Sequence, residues 1–204
     1  PRSIGVLNRL VQAQIYLGRT EEALVTSAEL LALEPKGYDV IQWAAFAHLS
    51  AGDLAGAQKV VAEVLKRVPA VELITYFAGY QELAYVLGDK ERELLFRMTP
   101  AAYDNDMAWW GQSLATAAYQ QGDLKRAKAY ADSSLAVAKQ QSEAAPKDPQ
   151  LRGLYAVSLA YVGRGAEANK EMTQAVADAP KGSGLNETYV RLQAIRMHLA
   201  LGEQ

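Results

Sequence analysis

Cysteine is absent from this 204-residue chain. That removes disulfides, thiolate metal sites and cysteine nucleophiles together, and it fits an expected cytoplasmic location. Histidine is nearly absent, with only His48 and His198, so a metal centre or a proton relay has little to work with. No run of about 18 apolar residues exists, so no segment reads as membrane-spanning. Charge of one sign is also missing. The formal net charge of −2 supplies no field to hold a polyanion, and nucleic acid is not expected as a partner. The opening Pro1-Arg2-Ser3-Ile4 lacks the charged start and apolar stretch of a signal peptide. It reads as a cut inside a longer protein.

What the chain does have is half its residues apolar and glycines at regular intervals. Gly18, Gly52, Gly88, Gly122, Gly163 and Gly202 follow one another at steps of 34, 36, 34, 41 and 39 residues. A period near 34 with apolar residues at helical spacing on both sides of each glycine predicts tandem helix–turn–helix units. In the first, Leu7, Leu10, Val11 and Tyr16 mark a helix ending at Gly18. Thr20 then offers an N-cap oxygen, and Pro35 stops the second helix. In the second unit Asp53 is the expected cap and Pro69 the stop.

The third unit should be irregular. Val71 to Leu87 reads as one long first helix, Pro100 arrives only 12 residues after Gly88, and Glu93 occupies a place held elsewhere by alanine. In the fourth, Leu124 to Ala145 contains no helix breaker. The fifth runs from Leu151 to Pro180, Lys181 to Gly184 is a connector, and Leu185 to Leu201 forms a last helix. In a complete unit, part of its apolar set Leu185, Tyr189, Leu192, Ile195, Leu199 and Leu201 is expected to lie under a second helix that would start just after Gly202. No sustained strand pattern appears.

The turn glycines, the alanine five residues after them (Ala23, Ala57, Ala127, Ala168) and the closing prolines Pro35, Pro69 and Pro180 resemble the tetratricopeptide repeat family across nearly the whole chain. The resemblance implies an all-α fold, a right-handed α-solenoid of five helix pairs plus a terminal helix. It would be a single array over 1–204, with units at about 4–36, 37–70, 71–100, 101–147 and 148–181 and the last helix at 184–201.

The resemblance also implies a non-catalytic module without cofactor or metal, a part of a larger, bacterial signalling or regulatory protein, that binds a protein or peptide. In this family the residues three, six, nine and ten before each turn glycine face the concave groove. They are Asn8, Arg9, Gln12 and Ile15; Gln42, Trp43, Phe46 and Leu49; Ala78, Gly79, Glu82 and Tyr85; and Gln112, Ser113, Thr116 and Tyr119, with Trp109 one turn earlier. Rings with amides and hydroxyls among them suit an extended peptide. The Lys and Arg with which chaperone adaptors of this family hold a carboxylate are missing, since Gln12, Trp43, Thr75 and Gly79 stand there. A self-associating scaffold, docking through the last helix, is the competing expectation.

Catalysis has little support. His48 and His198 each precede a turn glycine by four residues, which marks equivalent helix positions accepting a ring. Glu21-Glu22 and Glu91-Arg92-Glu93 are sequence neighbours and point to different sides of a helix. Lys125, Arg126 and Lys128 read as a solvated first turn.

Overall fold

The computed structural model describes residues 3–79, 83–180 and 185–203. Its first compact unit is Pro1–Arg97 and its second Met98–Gln204. The first contains α1 (Ile4–Tyr16), α2 (Thr20–Leu33), α3 (Tyr38–Ser50), α4 (Leu54–Val64), α5 (Ala70–Gly79) and α6 (Asp89–Leu95), with a 3-10 turn at Ala84–Val86. The second contains a 3-10 turn at Pro100–Tyr103, then α7 (Met107–Gln120), α8 (Leu124–Ala144), α9 (Pro149–Tyr161), α10 (Gly165–Asp178) and α11 (Leu185–Leu201). No strand occurs among the described residues.

The turn that makes each helix pair is a backbone device. Gly18, Gly52, Gly122, Gly163 and Gly202 have φ of +68°, +71°, +75°, +84° and +73°, the left-handed region in which a side chain is disfavoured. The amide of the next residue reaches back to a carbonyl five positions earlier: Arg19 to Gln14 at 2.8 Å, Asp53 to His48 at 2.9 Å, Asp123 to Ala118 at 3.0 Å, Arg164 to Leu159 at 2.9 Å and Glu203 to His198 at 2.9 Å. This closure satisfies an orphan carbonyl of the helix just ended and fixes the direction of departure. The next residue is therefore the N-cap. Asp53 and Asp123 accept from the amides of Gly56 and Arg126 at 2.8 and 3.0 Å, as caps should.

Where arginine follows the glycine the device differs. Arg19 forks onto Glu22 with two 2.7 Å bonds, and Arg164 does the same to Glu167 at 2.6 and 2.5 Å. Thr20 is consequently not a cap. It is the first helical residue, one place too late.

The third unit departs further than its sequence suggests. The expected single helix from Val71 to Leu87 is replaced by α5 and the turn at Ala84–Val86. Gly88 has φ −70° and ψ 174° and is itself the N-cap of α6, so the register of α6 is shifted. Glu93 is exposed beside Arg97 at 3.6 Å, and Leu95 is the fully buried residue of this helix. The early Pro100 leaves α6 seven residues long.

Packing follows the repeat. Ala23, Ala57, Ala127 and Ala168 are all buried, which lets paired helices approach. In the first unit α2 lies between α1 and α3, and α1 also touches α3 directly. Leu7, Val11, Leu30 and Val40 are the core of that junction. In the second unit α8 lies between α7 and α9, while α11 packs chiefly on α9. Its inward face is Val190, Gln193 and Met197, with Gln193 against Gly153. The apolar set of this last helix is split: Ile195 and Leu199 are 57% and 54% exposed, whereas Tyr189, Leu192 and Leu201 are half-buried.

Candidate interaction face

Side by side, α1 and α3 carry an aromatic cluster with one open ring. Trp43 and Phe46, one turn apart on α3, place their ring centroids 5.4 Å from each other. Tyr16, at the end of α1, meets Trp43 edge-on at 6.4 Å. Tyr16 is 74% exposed and the other two are half-buried. Opposite faces of α3, through Val40, Ile41, Ala44, Ala45 and Ala47, are in the core. Packing on that side fixes the helix and leaves the rings on the other.

The polar residues of this face are tied into a chain running from α1 to α5. Gln12 Nε2 donates to Asn8 Oδ1 at 2.7 Å, and Asn8 Nδ2 donates to Asp39 Oδ2 at 2.6 Å. Tyr38 donates to Glu72 Oε2 and Tyr76 to Gln42 Oε1, both at 2.6 Å. The last two pairs are separated by 34 residues, one period, so each joins equivalent levels of neighbouring first helices. Tyr38 and Tyr76 also meet ring to ring at 5.6 Å. The hydrogen bond to Glu72, then burial and then the Glu72 charge push the Tyr38 phenol up to about 12. Tyr85, in the 3-10 turn, is 39% exposed; Glu82 lies outside the described residues.

The candidate residues of the second unit are placed differently. Trp109 is half-buried with its ring edge-on to Tyr103 at 5.1 Å. Gln112 and Thr116, expected in an open groove, are 5% and 3% exposed. Gln112 Nε2 donates to the Leu154 carbonyl of α9 at 3.3 Å, and Thr116 Oγ1 accepts from the Tyr161 hydroxyl at 3.3 Å. Tyr119 donates to the Leu199 carbonyl of α11 at 2.6 Å and stacks obliquely on Tyr161 at 5.3 Å. Neighbouring helices of the same unit thus engage the Gln112 amide N–H, the Thr116 hydroxyl oxygen and the Tyr119 hydroxyl. As surface for a ligand, Gln112 and Thr116 are corrected to interhelical contacts.

The two histidines do share a role. His48 Nδ1 lies 2.9 Å from Asp53 Oδ2, and His198 Nδ1 lies 2.6 Å from Glu203 Oε2. Each pair straddles its turn glycine, so a carboxylate one residue past the glycine is the signal that explains the histidine four before it. Lys125, Arg126 and Lys128 are exposed, with Arg126 paired to Asp123 at 3.3 Å. Among the described residues no group of three metal-ligating side chains assembles, and no helix is long and apolar enough to cross a membrane.

Tyr16, Tyr38 and Tyr76 are the members of this face that helical periodicity misses. Tyr16 falls at a core-like spacing and is exposed because it closes α1 at the turn. For the other two a signal exists in the sequence: Tyr38 with Glu72, and Gln42 with Tyr76, each recur one period apart.

No family model matches the chain, and no curated protein matches it. Among solved structures it is similar to a thermophilic tetratricopeptide-repeat protein of Thermus thermophilus, with 19% identity over 98% of this chain and 99% of that one and a TM-score of 0.54. At that identity the likeness speaks for the fold. Together with the five left-handed glycine turns and the buried alanines that follow four of them, it makes this chain an all-α protein with the tetratricopeptide-repeat fold.

Proposed function

We propose that the chain is a non-catalytic interaction module, and that the face shared by α1, α3 and α5 takes an extended segment of a partner protein. The observation that carries this reading is the Tyr16–Trp43–Phe46 cluster, whose rings brace one another while Tyr16 stays 74% exposed. Rigid rings with open edges give contact area at little entropic cost. Among the described residues no bond takes the Gln12 carbonyl or the Gln42 amide N–H groups, so both have capacity for a peptide backbone. Asn8 positions Gln12, and Tyr85 supplies a further ring. Trp109 and Tyr119 belong to the second unit and form no part of this surface. Replacing Trp43 and Phe46 by alanine should weaken a partner identified by pull-down by about 2 kcal/mol or more in calorimetry. Unchanged affinity would remove the face from consideration.

A second reading, self-association through α11, is favoured by the exposure of Ile195 and Leu199. Light scattering that shows a concentration-dependent mass, reversed by Ile195→Glu with Leu199→Glu, would support it; a constant mass would dismiss it.

A further inference from the structure

Asp39 and Glu72 are both exposed on the proposed face, and both are held by neutral donors, the Asn8 amide and the Tyr38 hydroxyl. Among the described residues neither has a lysine or arginine within ion-pair distance. Other surface acids of this chain do, as Glu22, Glu63, Glu167 and Glu187 show. The nearest cations in sequence, Lys36 three residues before Asp39 and Arg67 five before Glu72, are exposed and, among the described residues, pair with neither carboxylate. A neutral donor fixes the direction of a carboxylate without cancelling its charge. Glu72 therefore sets an oriented negative charge at the Tyr38 hydroxyl, where the Tyr38 and Tyr76 ring centroids are 5.6 Å apart, and Asp39 sets a second one on the α1 side of α3. The perturbed Tyr38 phenol is consistent with a field that has no nearby cation to offset it.

A carboxylate beside a tyrosine face is a favourable place for an ammonium or guanidinium, which gains Coulomb attraction from one and cation–π attraction from the other. The apolar cluster lies farther along the same helix. From Tyr38 to Phe46 is eight residues of α3, about 12 Å at roughly 1.5 Å per residue. An extended chain covers that distance in three to four residues at about 3.3 Å each.

We infer that the segment bound by this face is basic as well as apolar: it presents a lysine or arginine to Asp39 and Glu72 beside Tyr38 and Tyr76, and, three or four residues away, an apolar side chain to Tyr16, Trp43 and Phe46. The inference rests on the docking face proposed above and specifies its partner class. It predicts salt-sensitive binding, because exposed charges are screened over about 8–10 Å at physiological ionic strength.

The test uses a positional library of labelled, acetylated and amidated heptapeptides. Each has one fixed leucine or phenylalanine and, two to five residues away, one fixed lysine, norleucine or glutamate. Binding to the full chain is read by fluorescence anisotropy at two salt concentrations. The lysine series at spacings of three and four should bind best and weaken with salt. Asp39→Asn with Glu72→Gln should weaken the lysine peptides tenfold or more and leave the norleucine peptides unchanged, whereas Trp43→Ala with Phe46→Ala should weaken both series.

Preference for glutamate, or lysine peptides indifferent to the Asp39 and Glu72 changes while Trp43→Ala with Phe46→Ala still abolishes binding, overturns the basic partner and leaves the docking face standing. Binding indifferent to Trp43 and Phe46, or no binding by any series to millimolar concentration, overturns both. Circular dichroism of each variant separates lost binding from lost fold, and the isosteric Asn and Gln changes keep the test valid should the alanine variants unfold.

Discussion

Gly111→Ala should destabilise the second unit although alanine is the better helix former. Gly111 lies in α7 where that helix approaches α8. A Cβ built there would stand 2.3 Å from both Cβ and Oγ of Ser134 and 3.0 Å from the Tyr130 carbonyl oxygen. Carbon atoms prefer about 3.5–4.0 Å, so the helices must part locally by more than about 1 Å. Ser134 cannot swing away, since it is fully buried and a Cβ is in the clash. Overpacking of this kind costs about 1–3 kcal/mol, and contact with main chain puts this case at the upper end. Helix propensity returns about 1 kcal/mol, for a net loss of about 2 kcal/mol.

Ser134→Gly removes the 2.3 Å obstruction and leaves only the 3.0 Å approach to the Tyr130 carbonyl, so in that background the loss from Gly111→Ala should shrink to within about 1 kcal/mol of zero. Urea unfolding followed by tryptophan emission reads this interface, because Trp110 on α7 packs edge-on against Tyr130 of α8 at 5.5 Å. A Trp43→Phe background leaves Trp109 and Trp110 as the emitters. Equal effects of Gly111→Ala in both backgrounds, or a gain in the presence of Ser134, would refute the close approach.

Gly52→Ala, at φ +71° with nothing within 4 Å of the new Cβ, should lose about 1–2 kcal/mol from backbone strain alone. Gly88→Ala should lose less despite a tighter site, because its φ is ordinary and the nearest atom is the movable Glu91 Oε2 at 2.5 Å; thermal unfolding that ranks the two in the opposite order would contradict the turn assignment. The Asp53 carboxyl is held below the usual carboxylate range, first by the Gly56 amide and then by His48. Its folded value lies below its unfolded one, so its stabilisation is present above the unfolded carboxylate range and fades as acid carries pH down through the folded value. Asp53→Asn should flatten that acid limb in pH-dependent urea midpoints, and an identical limb in the variant would show that the cap is not titrating.

Sequence alone determined what depends on a few neighbouring residues. A glycine at the end of an apolar helical run adopts the left-handed turn because no side chain opposes it. Gly18, Gly52, Gly122, Gly163 and Gly202 were legible for that reason, as were the Asp53 cap and the long helix after Gly122 that nothing interrupts. Pro35, Pro146 and Pro180 each follow a helix end by two residues, whereas α4 stops at Val64, five residues before the Pro69 expected to end it. The irregular third unit was visible in Pro100, but its form was not: Gly88 took an extended conformation once the preceding segment entered a 3-10 turn.

Tertiary structure decided which residues of equivalent register are open. Phe46 and Thr116 occupy the same place before a turn glycine, yet one is half-buried in an aromatic cluster and the other is buried with a Tyr161 bond. Register gives the direction in which a side chain leaves its helix. What stands in that direction is set by residues about 30 to 80 positions away, such as Asp39 for Asn8, Leu154 for Gln112 and Leu199 for Tyr119. Exposure, hydrogen-bond partners and local charge come from that long-range packing, which no single repeat contains.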